Sequence, residues 1–299
     1  MVSIITKKVK GNEYFFLVHS YREGAKVKQI QKSLGKEIPP NLERIKEEFI
    51  SEVVHKLWIP SIEKYKEKYV AWIKKIPDLV KDKEFRAFGI RFTYSSGKIE
   101  GSTLTLREVA LAVDEPEVSI NKPTNDINEA QLHMKCYEDL IQTKEELTQK
   151  LIQKWHNTLF SLHYNREIIA GEIRELEVKI RGSKHIPPPP EEVPNQLKEL
   201  FEWYNHNKKN FHPILIACLM HYRFVSIHPF YDGNGRMTRL LTNYILHKNN
   251  YPMFNIEANI RKSYYSALEN TDLTNDEMRF VNWFFKNYID NIKKSYFIK

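Results

Sequence analysis

The sequence predicts a mainly α protein, a helical core carrying a β-hairpin flap and a small N-terminal β segment. Three observations lead there. After Pro39-Pro40, apolar residues recur at helical spacing through the rest of the chain. Strand-like alternation is confined to residues 2–32 and to the stretch from Gly171 to Pro190. With 299 residues, 41% of them hydrophobic, there is ample material for a core.

Tyr14, Phe15, Phe16, Val18, Val27 and Ile30 favour strands, and Lys10-Gly11-Asn12-Glu13 and Glu23-Gly24 supply hairpin turns. Three strands ending at Leu34-Gly35 are expected. Helices follow over about 41–58, 61–77, 81–98, 105–113, 126–142, 145–163, 191–208, 211–227, 235–248, 259–270 and 275–294. Asn41 and Asp126 are expected as N-caps, and Pro60 and Pro77 as stops. Between Gly171 and Pro190, Glu-Ile-Arg-Glu-Leu-Glu-Val-Lys-Ile-Arg-Gly alternates and then runs into four prolines, which predicts an exposed hairpin. Its free edge is either a liability or a docking rail. The expected organisation is a β-rich extension over 1–36, N-terminal helices over 37–104, and a core with C-terminal helices over 105–299.

Lys and Arg outnumber Asp and Glu by 46 to 38, giving a net charge of +8, but the charges are spread along helical faces. A nucleic-acid-binding module would draw on Lys7, Lys8, Lys10, Arg22, Lys26, Lys28 and Lys32. Alternate lysines on strands are more often a solvated face, so nucleic acid is not the expected partner. Cys136 and Cys218 lie far apart in apolar stretches, which fits a reduced compartment better than a disulfide framework. The N-terminal apolar run is too short for a signal peptide, and no window approaches 18 apolar residues. A cytoplasmic protein without membrane contact is expected.

His228-Pro-Phe-Tyr-Asp-Gly-Asn-Gly-Arg-Met-Thr-Arg239 is the stretch whose residue types make sense together as a phosphate-handling site. His228 is a base with an ordinary pKa of about 6.5. Asp232 is a carboxylate suited to holding Mg²⁺ against phosphate oxygens, or to capping the next helix. Gly233 and Gly235 let the backbone approach an anion, Asn234 offers an amide donor, and Arg236 and Arg239 offer planar forks. Three residues apart at the start of a helix, the arginines are expected on one face beside unpaired N–H groups. Phe230 is expected to face the core. A P-loop, a dinucleotide fingerprint and paired zinc ligands are all absent from the sequence.

The pattern His-Pro-Phe-x-Asp-Gly-Asn-Gly-Arg-x-x-Arg resembles that of the Fic (filamentation induced by cAMP) family of adenylyltransferases at every fixed position. The resemblance extends over roughly residues 85–270. Ala170-Gly-Glu-Ile-Arg174 with Val178, Lys179, Ile180 and Arg181 looks like the family's flap, and Tyr264-Tyr265 like the helix bordering the adenine. It implies a Fic-type helical core with ATP as co-substrate, His228 deprotonating a Ser, Thr or Tyr hydroxyl, and AMP left on a protein docked along 171–186. Ser96-Gly-Lys-Ile-Glu100-Gly101 is similar to the family's inhibitory pattern. Its implication is that Glu100 pairs with Arg239 where the γ-phosphate should lie; read alone, Glu100 is a glutamate at a helix end. The same site working in reverse, with Glu100 orienting water to remove AMP, is the alternative. The target, and whether the chain pairs as a homodimer, stay open at the level of sequence.

Overall fold

A computed structural model describes residues 2–162, 170–180 and 182–297. Strands β1 (Val2–Val9), β2 (Asn12–Glu23) and β3 (Lys26–Gly35) form an antiparallel sheet in the order β1-β2-β3. Register is carried by pairs such as Ile5 with Phe16 and Val18 with Gln31, and a shift between Phe15 and Phe16 bends the β2–β3 pairing. Leu17 belongs to the same buried cluster as Phe49 and Val53 of the first helix, so the sheet shares the helical core. Of the basic strand residues, Lys32 reaches Glu52 at 2.7 Å and Lys28 pairs with Glu23.

The helices are α1 (Leu42–Leu57), α2 (Ile59–Lys75), α3 (Asp78–Glu100), α4 (Leu106–Asp114), α5 (Thr124–Gln142), α6 (Gln149–Phe160), α7 (Val193–Asn207), α8 (Pro213–Ile227), α9 (Asn234–Lys248), α10 (Arg261–Thr274) and α11 (Met278–Ile292). Periodicity located each, and only the ends moved. Asn41 holds the N-cap position of α1, without a side-chain cap bond, whereas Asp126 lies inside α5, where its carboxylate accepts from Thr103 N and Oγ1 at 2.7 and 2.6 Å. Pro60 opens α2 instead of closing α1, because its missing N–H is harmless in a first turn. A full capping box sits at Thr105 and Glu108, fixing the start of α4.

The centre of the molecule is the pair α8 and α9. Every residue from Ile214 to His221 is buried, as is every residue from Arg236 to Leu246. A helix buried on all sides has to be enclosed by others, and α5, α7 and α11 pack around this pair. The connection between the two most enclosed helices is residues 228–233, so the motif loop hangs on the stiffest part of the fold. Both cysteines are buried and free, and burial pushes the Cys136 thiol up to about 12. No helix among the described residues is long and apolar enough to cross a membrane.

Helices α3 and α5 approach closely at Gly89, where an added Cβ would lie 2.5 Å from the Tyr137 ring and 2.8 Å from Met134 Sδ. Two effects compete in Gly89→Ala. Helix propensity favours alanine by about 1 kcal/mol, whereas overpacking costs about 1–3 kcal/mol. The clash dominates, so urea unfolding of Gly89→Ala should show a net loss of stability; a gain would mean that the two helices part easily.

Candidate active site

The site begins where α8 stops. His228 closes the helix in a left-handed conformation, φ 52° and ψ 57°, with its N–H on Phe224 O at 3.2 Å. A non-glycine residue there is held against a cost of about 1–3 kcal/mol. Its Nδ1 meets the carbonyl of Val225 at 3.3 Å; a carbonyl only accepts, so Nδ1 carries the hydrogen and Nε2 keeps its lone pair. Burial pushes the imidazole down to about 4; the Val225 carbonyl pulls it up, and the charges of Arg174 and His185 add smaller downward pushes. It is therefore neutral at pH 7, and the ordinary value of about 6.5 does not apply.

Phe230 is buried as expected, and its ring stacks on His156 of α6 with centroids 3.8 Å apart and planes 10° apart. His156 accepts from Gly171 N at 2.8 Å and donates to the carbonyl of Asp232 at 3.0 Å, so one neutral imidazole joins the flap to the motif loop. Nothing in the sequence marks His156 as different from any helical histidine.

Asn234 does not offer its amide to an anion. Its Oδ1 accepts from Phe230 N at 2.9 Å and its Nδ2 donates to Phe230 O at 2.8 Å, so both ends of the buried amide close the loop. Gly233, at φ 79°, starts α9, and a Cβ there would run into the Phe160 ring. Asp232 is half exposed, with Oδ1 accepting from Arg236 Nη2 at 2.8 Å.

The two arginines leave the first turns of α9 toward different helices. Arg236, 4% exposed, pairs with Glu129 of α5 as well as Asp232. Arg239, 2% exposed, donates from Nε to Ser96 Oγ at 2.9 Å and from Nη2 to Glu100 Oε1 at 2.6 Å. Ser96 and Glu100 are one turn apart on the last turns of α3, which Gly101 ends at φ 107°. Glu100 Oε1 lies so close to Gly235 that any Cβ at that position would collide with it. A carboxylate thus rests over the first turn of α9, where a helix N-terminus favours negative charge.

The flap departs from the expected hairpin. Its chain reverses at Ser183 N to Ile180 O, 3.1 Å, but its described residues form no strand ladder. Its polar groups are taken by the motif side instead: Arg174 N bonds Pro229 O at 3.0 Å, Glu175 N bonds Tyr231 Oη at 2.9 Å, and His185 Nε2 bonds Ser226 O at 2.8 Å. Val178 and Ile180 are half-buried, Lys179 is exposed, and Arg181 lies outside the described residues. Ile186 is 87% exposed and Leu176 is also exposed. Tyr264 turns into the core, its hydroxyl 2.9 Å from His221 Nε2 and close to Arg239; Tyr265 remains at the surface with Arg261 over its ring.

Among the described residues no group of three or more His, Cys, Asp or Glu side chains could hold a metal. Magnesium needs no such cage, since it takes one or two carboxylates and completes its shell with phosphate oxygens and water. The half-exposed Asp232 carboxylate fits that donor requirement.

Residues 146–246 match the Fic/DOC family. Over 183 residues the chain is 36% identical to the protein adenylyltransferase Fic of Drosophila grimshawi, covering 59% of this chain and 36% of that one. The Drosophila virilis protein of the same name is 35% identical with the same coverage. The chain thus spans about a third of the length of these curated relatives. A Fic domain-containing signalling protein from Bacteroides thetaiotaomicron superimposes with TM-score 0.71 at 28% identity, covering 79% of this chain and 95% of that one. Fic-1 from C. elegans superimposes with TM-score 0.70 at 25% identity, over 86% and 77%.

Burial lowers three of the enclosed histidines far below their ordinary value, His133 and His221 to about 3 and His156 to about 4. In the unfolded chain each binds a proton near 6.5, so stability falls as pH drops below that value, by up to ~1.4 kcal/mol per pH unit for each. His185, raised by Asp272, acts in the opposite direction. Chemical denaturation at pH 6.5 and pH 5 should therefore show a clear loss at the lower pH; equal stability would mean that these imidazoles are protonated in the fold.

Proposed function

We propose, from the premise that residues 146–246 carry a Fic/DOC domain, that this chain transfers AMP from ATP to a Ser, Thr or Tyr hydroxyl of a protein and is held in check by Glu100. The observation that carries this reading is the Glu100 carboxylate on Arg239, seated over the first turn of α9 where an anion is favoured. The names of the Drosophila relatives support the activity.

In this reading His228 Nε2 takes the proton of the target hydroxyl. The oxygen then forms a bond to the α-phosphorus, the bond from that phosphorus to the bridging oxygen breaks, and pyrophosphate leaves with the electron pair. A base of depressed pKa is a modest proton acceptor, but it is unprotonated throughout the physiological range. Asp232 would hold Mg²⁺, whose charge, when bound, offsets that of the phosphates. The ion pair with Arg236 uses Asp232 Oδ1, and Glu129 would still neutralise Arg236 if the metal drew Asp232 toward itself. Arg239 Nη1 is buried without a hydrogen-bond partner while Nη2 is taken by Glu100, so a two-pronged grip on the terminal phosphate would require Glu100 to give up Nη2. The exposed Leu176 and Ile186 on the flap offer apolar purchase for a protein segment. The reverse reaction is the second reading, since the Glu100 carboxylate lies near enough to act on the charge of the His228 imidazole and could orient a water there.

Glu100→Gly should raise incorporation of label from α-labelled ATP into protein at least tenfold, and His228→Ala should abolish it; no gain in Glu100→Gly removes the restraint from the reading. If removal of AMP dominates, wild type should strip a labelled target and Glu100→Gly should not. The acidic limb of the kcat/KM profile of Glu100→Gly should fall below pH 5, following the depressed His228 imidazole. A limb near the ordinary histidine value would place the ring in a more open setting than this one.

A further inference from the structure

Arg174 is 1% exposed, and all of its hydrogen bonds run to main-chain carbonyls. Its Nε donates to His228 O at 2.8 Å, its Nη1 to Leu176 O at 3.1 Å and its Nη2 to Pro188 O at 2.6 Å, while its backbone N–H donates to Pro229 O at 3.0 Å. Leu176 and Pro188 stand on opposite arms of the flap, and His228 and Pro229 open the motif loop. One planar fork therefore joins three segments that share no strand pairing among the described residues. With the expected hairpin ladder absent, this guanidinium takes over part of the work that interstrand bonds would have done.

Resting on the reading of His228 as general base, we propose that Arg174 is a positioning residue that fixes the left-handed main chain of His228 and ties both flap arms to it. The physical case is direct. His228 sits in a conformation that non-glycine residues avoid, and its own carbonyl is the one Arg174 Nε holds. An arginine presents donors in rigid directions, so it can satisfy carbonyls on three segments at once; an ammonium, a point charge on a flexible stem, cannot. Its charge also bears on the ring: after burial and the Val225 carbonyl, the groups that act on the His228 imidazole are Arg174 and His185 from the flap and Glu100 from α3, and Arg174 works to keep the ring neutral. Removing that charge leaves His185 lowering and Glu100 raising, so the imidazole should titrate closer to the ordinary histidine value.

The test compares Arg174→Gln and Arg174→Lys in the Glu100→Gly background, with far-UV circular dichroism and thermal melting to confirm folding. Turnover should fall about ten- to hundredfold, as expected for a displaced reacting group, while KM for ATP stays within about threefold. Lysine should not restore turnover. In ¹³C-histidine-labelled protein, the His228 resonance, assigned by its loss in His228→Ala, should titrate at higher pH in both Arg174→Gln and the His228-containing parent's Gln variant without Glu100→Gly. Turnover within threefold of the parent, or a His228 titration that does not move in the Gln variant, overturns the proposal. Should Arg174→Gln not fold, Arg174→Lys decides it, since full turnover with lysine removes the need for a fork. The titration needs no catalysis, so a parent without adenylyl transfer refutes the proposed function and leaves the Arg174 test standing.

Discussion

A buried guanidinium has to be compensated, and two that are compensated by carboxylates lie on the opening turns of α9. Arg236 and Arg239 have almost no contact with water, and an unpaired charge at such depth costs several kcal/mol. The protein supplies the compensation from outside the motif, Glu129 from α5 and Glu100 with Ser96 from α3. Phosphates are the natural replacement for these carboxylates, being of the same sign and better matched to a planar fork. In the proposed reading restraint and readiness are one arrangement, the carboxylates standing where the phosphates of the nucleotide would bind.

The loop that presents these groups is rigid because of what it connects. Helices α8 and α9 are enclosed on all sides, and the turn between them is closed by the Asn234 amide and weighed down by the Phe230–His156 stack. His156 then reaches from that stack to Gly171, so the start of the flap and the middle of the motif share one neutral imidazole. The chemistry-bearing atoms sit on an element whose neighbours cannot move independently of it, and this is the preorganisation that electrostatic catalysis relies on.

Much of this was legible in the amino-acid order. Helical periodicity located each long helix, alternation located the sheet, and the run from His228 to Arg239 identified the loop. Glu100 was legible through its spacing from Ser96. What escaped depends on partners far away in sequence. Asn234 resembles a ligand donor until the backbone of Phe230 is seen to use both ends of its amide. Tyr264 resembles a pocket wall until His221 claims its hydroxyl. His156 carries no local signal, because its importance arises from Gly171 and Asp232, which only folding brings to it. Alternation between Gly171 and Pro190 suggested strands, but the segment's donors found carbonyls and a phenol on the motif side. Asp126 missed its capping place for a similar reason: its carboxylate is drawn to Thr103, across a loop no pattern reveals.

The close approach at Gly89 has a consequence for how Glu100 could leave Arg239. With the Tyr137 ring pressed against that glycine and Thr93 Oγ1 bonded to His133 at 2.9 Å, the middle of α3 has no room to slide along α5. In the proposed reading the carboxylate would therefore leave through motion of its own side chain and of the terminal turn beyond Ser96, with the body of the helix as a fixed post. Side-chain rotation is among the fastest motions a protein makes. A bolt of that kind would be one side chain on a stationary frame.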